Sequence, residues 1–66
     1  MNSITDFIGK EVKLFPNDTY KKSAILLEIS DYGYLFKMTK CELRCGYKVD
    51  DIVFLNHSTK VEMLIN

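Results

Sequence analysis

The chain has 66 residues, 47% of them apolar and 27% charged, with a formal net charge of zero, which is the composition of one ordinary globular domain and excludes intrinsic disorder. Neutrality also removes the basic excess that normally accompanies nucleic-acid binding. A body of this size buries only about 60% of the surface its unfolded chain exposes, so support from disulfides, a metal or a partner subunit is expected.

Residues 1–6 carry neither a positive n-region nor an apolar h-region, and no run approaches the roughly 18 apolar residues of a membrane span. A cytoplasmic protein without a membrane partner is expected. Lysine outnumbers arginine eight to one, a bias typical of AT-rich coding sequence and hence of a low-GC bacterium or its phage.

In chain order, Ser3 precedes apolar Ile4, Phe7 and Ile8 at helical spacing, with Asp6 in the first turn, so a short N-terminal helix ending at Gly9 is predicted. Residues 11–15 alternate, with Val12 and Leu14 on one face and Lys13 on the other, and end at the turn-forming Pro16-Asn17-Asp18. Residues 24–30 place Ile25, Leu27 and Ile29 on one side. After the Asp31-Tyr32-Gly33 turn, residues 34–39 share Tyr34, Phe36 and Met38. Residues 52–56 and 61–65 form a second apolar pair around 57–60. Residues 40–51 read either as a long bent strand or as one helical turn capped by Gly46. The spacing of turns predicts a mainly β fold, a short N-terminal helix followed by a five-stranded antiparallel small barrel, as one domain spanning 1–66.

Phe7-Ile8-Gly9-Lys10-Glu11-Val12-Lys13-Leu14 resembles the helix-to-first-strand passage of the Sm-like proteins, and residues 27–35 are similar to their second hairpin. The glycine usual at the strand-one turn of that family is absent, and its nucleotide-pocket residues have no counterpart here. Tyr47-Lys48-Val49-Asp50-Asp51-Ile52-Val53 resembles the turn before a strand in Src-homology-3-like and translation-factor-type barrels, with Asp50 where glycine is commoner. The Sm-like resemblance implies a ring or other oligomer and RNA contact. Function does not follow from a shared fold alone.

Among residues that could carry chemistry, Cys41 and Cys45 stand four apart, but a tetrahedral zinc site needs two further ligands and His57 is the chain's single histidine. Reduced thiols are expected in a cytosolic setting, with a disulfide or metal as alternatives. Adjacent Asp50 and Asp51 on a strand would point to opposite faces, so a solvated turn is the expected reading, with Glu42 outside any acid–base pair. His57 has no nucleophile placed by a recognisable motif. No catalytic residue, metal or cofactor is assigned, and an enzyme is not expected.

Two surfaces are assigned from pattern. Tyr20, Lys21, Lys22, Tyr34, Lys37 and Lys40 interleave cations with aromatic rings, the combination that binds single-stranded nucleic acid or a nucleotide-like ligand, or else guards a sheet edge. If Ile25, Leu27, Ile29, Tyr34, Phe36, Ile52, Phe54, Val61, Met63 and Ile65 fill the interior, then Leu26, Leu35, Val53, Leu55 and Leu64 point outward as an apolar surplus that marks an oligomer interface. The leading expectation is a self-associating, non-enzymatic binding module, a homodimer or small ring. It would act by occupying a protein or ligand, as a phage or mobile-element inhibitor of a host component does. Nucleic-acid binding and a sponge for a small nucleotide-like ligand are the alternatives.

Overall fold

The structure, a computed structural model, describes residues 4–42 and 46–65. A single 3-10 turn, Ile4–Phe7, leads into strands β1 (Glu11–Leu14), β2 (Lys22–Ile29), β3 (Gly33–Cys41), β4 (Ile52–Asn56) and β5 (Met63–Ile65). The mainly β, five-stranded antiparallel expectation holds. The helix does not: the N-terminal segment closes only with Ile8 N–H donating to Thr5 O (3.3 Å) and Lys10 N–H to Phe7 O (3.0 Å), and Gly9 turns the chain out at φ 82°. Isolated turns this short do not propagate as α-helix without more residues to repay nucleation. The expected cap, Ser3, lies outside the described residues. Among the described residues no helix is long and apolar enough to cross a membrane.

All five strands lie in one sheet in the order β4-β3-β2-β1-β5. The expected barrel is corrected to an open sheet, because β4 and β5 are its two ends and do not pair with each other. Registers Val12↔Ala24↔Met38 and Leu26↔Phe36↔Val53 stack one face, and Glu11↔Ile25↔Lys37↔Ile52 and Leu35↔Phe54 the other. The inner face holds the core: Val12, Leu14, Ala24, Leu26, Phe36 and Met38 are buried, flanked by Phe7, Tyr47, Val53, Leu55, Val61 and Met63.

This register corrects the expected interior. Leu26 is 0% exposed and Leu27 40%, while Ile52 and Phe54, expected inside, are 58% and 52% exposed, and Ile65 is exposed too. Ile25 shares a face with Glu11 and Lys37 rather than with the core. The cause in β2 is local. The ladder skips Leu27 between Leu26↔Phe36 and Glu28↔Leu35, a bulge that resets which side chains face in. In β4 no charge marks the outer face, so only pairing to β3 decides it.

Residues 40–51 resolve in part as strand, β3 running through Cys41. A turn then rejoins β4: Lys48 N–H donates to Asp51 Oδ2 (3.0 Å), Asp51 N–H donates to Lys48 O (3.1 Å), and Asp50 takes φ 71°. The left-handed conformation is where glycine is commonest, and aspartate is among the few residues that tolerate it.

Candidate functional site

The backbone of β4 sets up the first candidate. Met38 N–H donates to Asp51 O (2.8 Å) and His57 N–H to Tyr32 O (3.2 Å). An antiparallel ladder alternates, so between those two bonds Val53 and Leu55 spend their N–H and C=O on β3, and Ile52, Phe54 and Asn56 turn theirs to the open edge. Thr59 N–H bonds one lone pair of the Asn56 carbonyl (3.0 Å) in the turn that follows. The Ile52 and Phe54 side chains rise on the outer face beside those edge groups, with half-buried Leu35 opposite Phe54.

The position of Phe54 depends on Gly33. A Cβ on Gly33 would lie 2.9 Å from Phe54 Cζ and 2.6 Å from Asn56 Cα, and inside contact distance of the Leu55 carbonyl oxygen. Only glycine lets β3 start this close to β4, and the Phe54 ring fills the space a side chain would have taken.

Of the five residues expected at an interface, Leu35 and Leu64 face outward as expected. Leu26, Val53 and Leu55 do not: Leu26 is fully buried, and Val53 and Leu55 are partly buried against the core. The outward apolar surface belongs instead to Ile52, Phe54 and Leu64, with Ile25 and Leu35 behind. The missed signal was in the partner strand: Lys37, between Phe36 and Met38, fixes the outer face of β3 and hence of whatever pairs with it.

The expected cation–aromatic set is divided. Lys22 is 7% exposed, its ammonium bonded to Asp18 Oδ2 at 2.9 Å and lying 5.6 Å from the Phe15 ring centre, so it anchors the β1–β2 turn and is not open to a strand of nucleic acid. Tyr34 stands on the inner face, its ring 6.3 Å from Phe36 and edge-on to His57 at 4.8 Å. Lys37 lies on the outer face within 3.8 Å of Asp50. Lys21 and Lys40 are exposed and border one cavity with Lys22, and exposed Tyr20 lies in the adjoining turn.

His57 Nε2–H donates to the Ser30 carbonyl at 2.7 Å, not to the Ser30 hydroxyl, which accepts from Tyr32 N–H at 3.2 Å. The ring therefore staples the β4–β5 turn onto the β2–β3 turn. Among the described residues no three His, Cys, Asp or Glu side chains come together to hold a metal ion. Cys41 is half-buried at the end of β3, and Cys45 lies outside the described residues.

Compared with models of known protein families, with curated proteins and with solved structures, the chain matches none.

Proposed function

We propose that the protein is a non-enzymatic binding module that self-associates along the free edge of β4 as a two-fold dimer and acts by occupying a protein or ligand. In a phage or mobile-element setting, such occupation amounts to inhibition of a host component. The observation that carries the reading is an edge strand without protection among the described residues. Natural edges are blunted by lysine, proline, bulges or inward charges. Ile52–Asn56 has none of these, and Ile52 and Phe54 are exposed beside open backbone groups. The other edge, Met63–Ile65, is shorter and follows Lys60 and Glu62.

A second copy suits this strip because it is self-complementary. Antiparallel pairing about a two-fold axis at Phe54 sets Phe54 opposite its own copy and Ile52 opposite Asn56, with Phe54 N–H and C=O paired in both directions and the Asn56 carbonyl, already bonded by Thr59 N–H, accepting Ile52 N–H on its second lone pair. The two outer faces then meet as one apolar band. A small core with no fully buried residue in β4 gains most from a neighbour there.

Light scattering on a size-exclusion column, for wild type and for Phe54→Lys and Ile52→Lys at two protein concentrations, tests it. The reading expects a wild-type dimer of twice the 7.7 kDa chain mass and folded monomers for both variants. A wild-type monomer at both concentrations, or variants that remain dimers, would refute it.

A further inference from the structure

At the end of the sheet that carries the β1–β2 turn, two cavities adjoin. One, of about 310 Å³, is lined by Lys13, Leu14, Pro16, Lys21, Lys22 and Leu64 with Ser23. The other, of about 220 Å³, shares Lys21, Lys22 and Ser23 and adds Lys40, Cys41 and Glu42. Glu42 is the single acid among these described lining residues, and Asp18 answers Lys22 from the turn.

Register brings the cations together from distant parts of the chain. Lys13 pairs with Ser23, and Ser23 with Lys40, so two lysines flank one small side chain on three adjacent strands. Two inter-strand spacings separate them by about 10 Å. Elsewhere on this face charge is balanced: Glu11 stands in the row with Lys37, Lys37 approaches Asp50, and the Thr39 hydroxyl donates to Glu11 Oε2 at 2.7 Å. The Lys13–Ser23–Lys40 row has no acid of its own. Lys21 adds a fixed charge, its ammonium held by the carbonyls of Pro16 (2.8 Å) and Asp18 (3.1 Å).

We propose that these joined cavities form a binding site for a small multiply charged phosphate ligand, of the class of nucleoside di- and triphosphates. Lysine ammonium groups serve as point-charge partners for phosphate oxygens. Lys13 and Lys40 grip the two ends of the phosphate chain and Lys21 its middle, while Pro16 and Leu64 offer an apolar wall to the organic part. The larger cavity falls at the small end of the range for ligand sites, about 300–1,000 Å³. Two small concavities favour a free small anion over an extended strand of nucleic acid, whose backbone would need cations continuing along the sheet, where Lys37 is already matched by Asp50. The site is built from β1, β2 and β3, the β1–β2 turn and Leu64 of β5, and does not depend on the β4 edge.

The test is isothermal titration with sodium tripolyphosphate and with ADP at constant ionic strength, for wild type, Lys13→Gln, Lys40→Gln, the double variant, and Lys60→Gln as a control at an exposed lysine that lines neither cavity. The melting temperature of each variant without ligand establishes that it is folded. Expected are one ligand per chain, at least fivefold weaker binding for each single variant, loss in the double variant and no change in Lys60→Gln. A melting-temperature rise with tripolyphosphate present should follow the same order. Absence of binding of both probes at millimolar concentration, or equal weakening by Lys60→Gln, would overturn the proposal. So would a ten-residue oligothymidylate that binds more tightly than tripolyphosphate and ignores Lys13→Gln.

Discussion

The three central strands and the two flanking ones divide the work of this small sheet. Among the described residues, every fully buried apolar side chain lies in β1, β2 or β3: Val12 and Leu14, Ala24 and Leu26, Phe36 and Met38. β4 and β5 contribute only partly buried Val53, Leu55 and Met63, and expose Ile52, Phe54, Leu64 and Ile65. Strands at the centre have neighbours on both sides, so their backbone is spent and their inner side chains are covered. End strands keep one backbone edge and much of their apolar surface available. Buried apolar surface is therefore concentrated in the centre, and exposed apolar surface beside open backbone in the flank, and substitutions should separate the two.

The largest effect is expected at the centre. Phe36→Ala should cost about 3–5 kcal/mol, the range for truncating a buried aromatic. In a domain this small that is most of the stability, so chemical denaturation should find the variant largely unfolded. Gly33→Ala should follow at about 1–3 kcal/mol, since the new methyl meets β4 backbone that cannot step aside. Its signature is selective: β4 amides lose protection while those of β1 and β2 keep it.

A smaller loss is expected from Asp18→Ala, which leaves the buried Lys22 ammonium with the distant Tyr20 carbonyl at 3.4 Å and the Phe15 ring but no anionic partner among the described residues. A hydrogen bond to a charged group is worth about 1.5–3 kcal/mol, and exposure of Asp18 puts this one at the low end. Thermal melts would read it. The smallest effect on the folded monomer belongs to Ile52→Lys, about 0.5 kcal/mol or less by urea titration of dilute protein. A larger loss there would assign Ile52 to the core and dissolve the division between centre and flank.

How much of this was legible in the sequence depended on where charges fell. In β1, Glu11 and Lys13 alternate with Val12 and Leu14, and in β3, Lys37 separates Phe36 from Met38, so charge distinguishes the two faces of each strand, and the uncharged face is the buried one. β2 from 24 to 27 and β4 from 52 to 55 are apolar on both faces. Alternation there names two sets without saying which is inside, and the expected interior set, Ile25, Leu27, Ile52 and Phe54, is the one that does not face the core. The β2 bulge at Leu27 compounded the error, because it shifts the phase within the strand. Gly9 and Asp50 were legible as turn positions, and both take positive φ.

The candidate sites were harder to see than the fold. Lys21, Lys22 and Lys40 stand near aromatic residues in the sequence, whereas Lys13 approaches Lys40 only through two strand pairings. The outward role of Ile52 and Phe54 was hidden for the same reason as the phase of β4. Sheet order, which decides that β4 is an edge, is a non-local fact.

Amide hydrogen exchange of Ile52 and Phe54, followed by NMR at low and high protein concentration, tests the central claim most directly. Their N–H groups point away from β3, so they should exchange freely in dilute protein and become protected as the concentration rises, whereas Val53 and Leu55 stay protected throughout. Exchange of Ile52 and Phe54 that stays fast at every concentration would contradict self-pairing of the β4 edge.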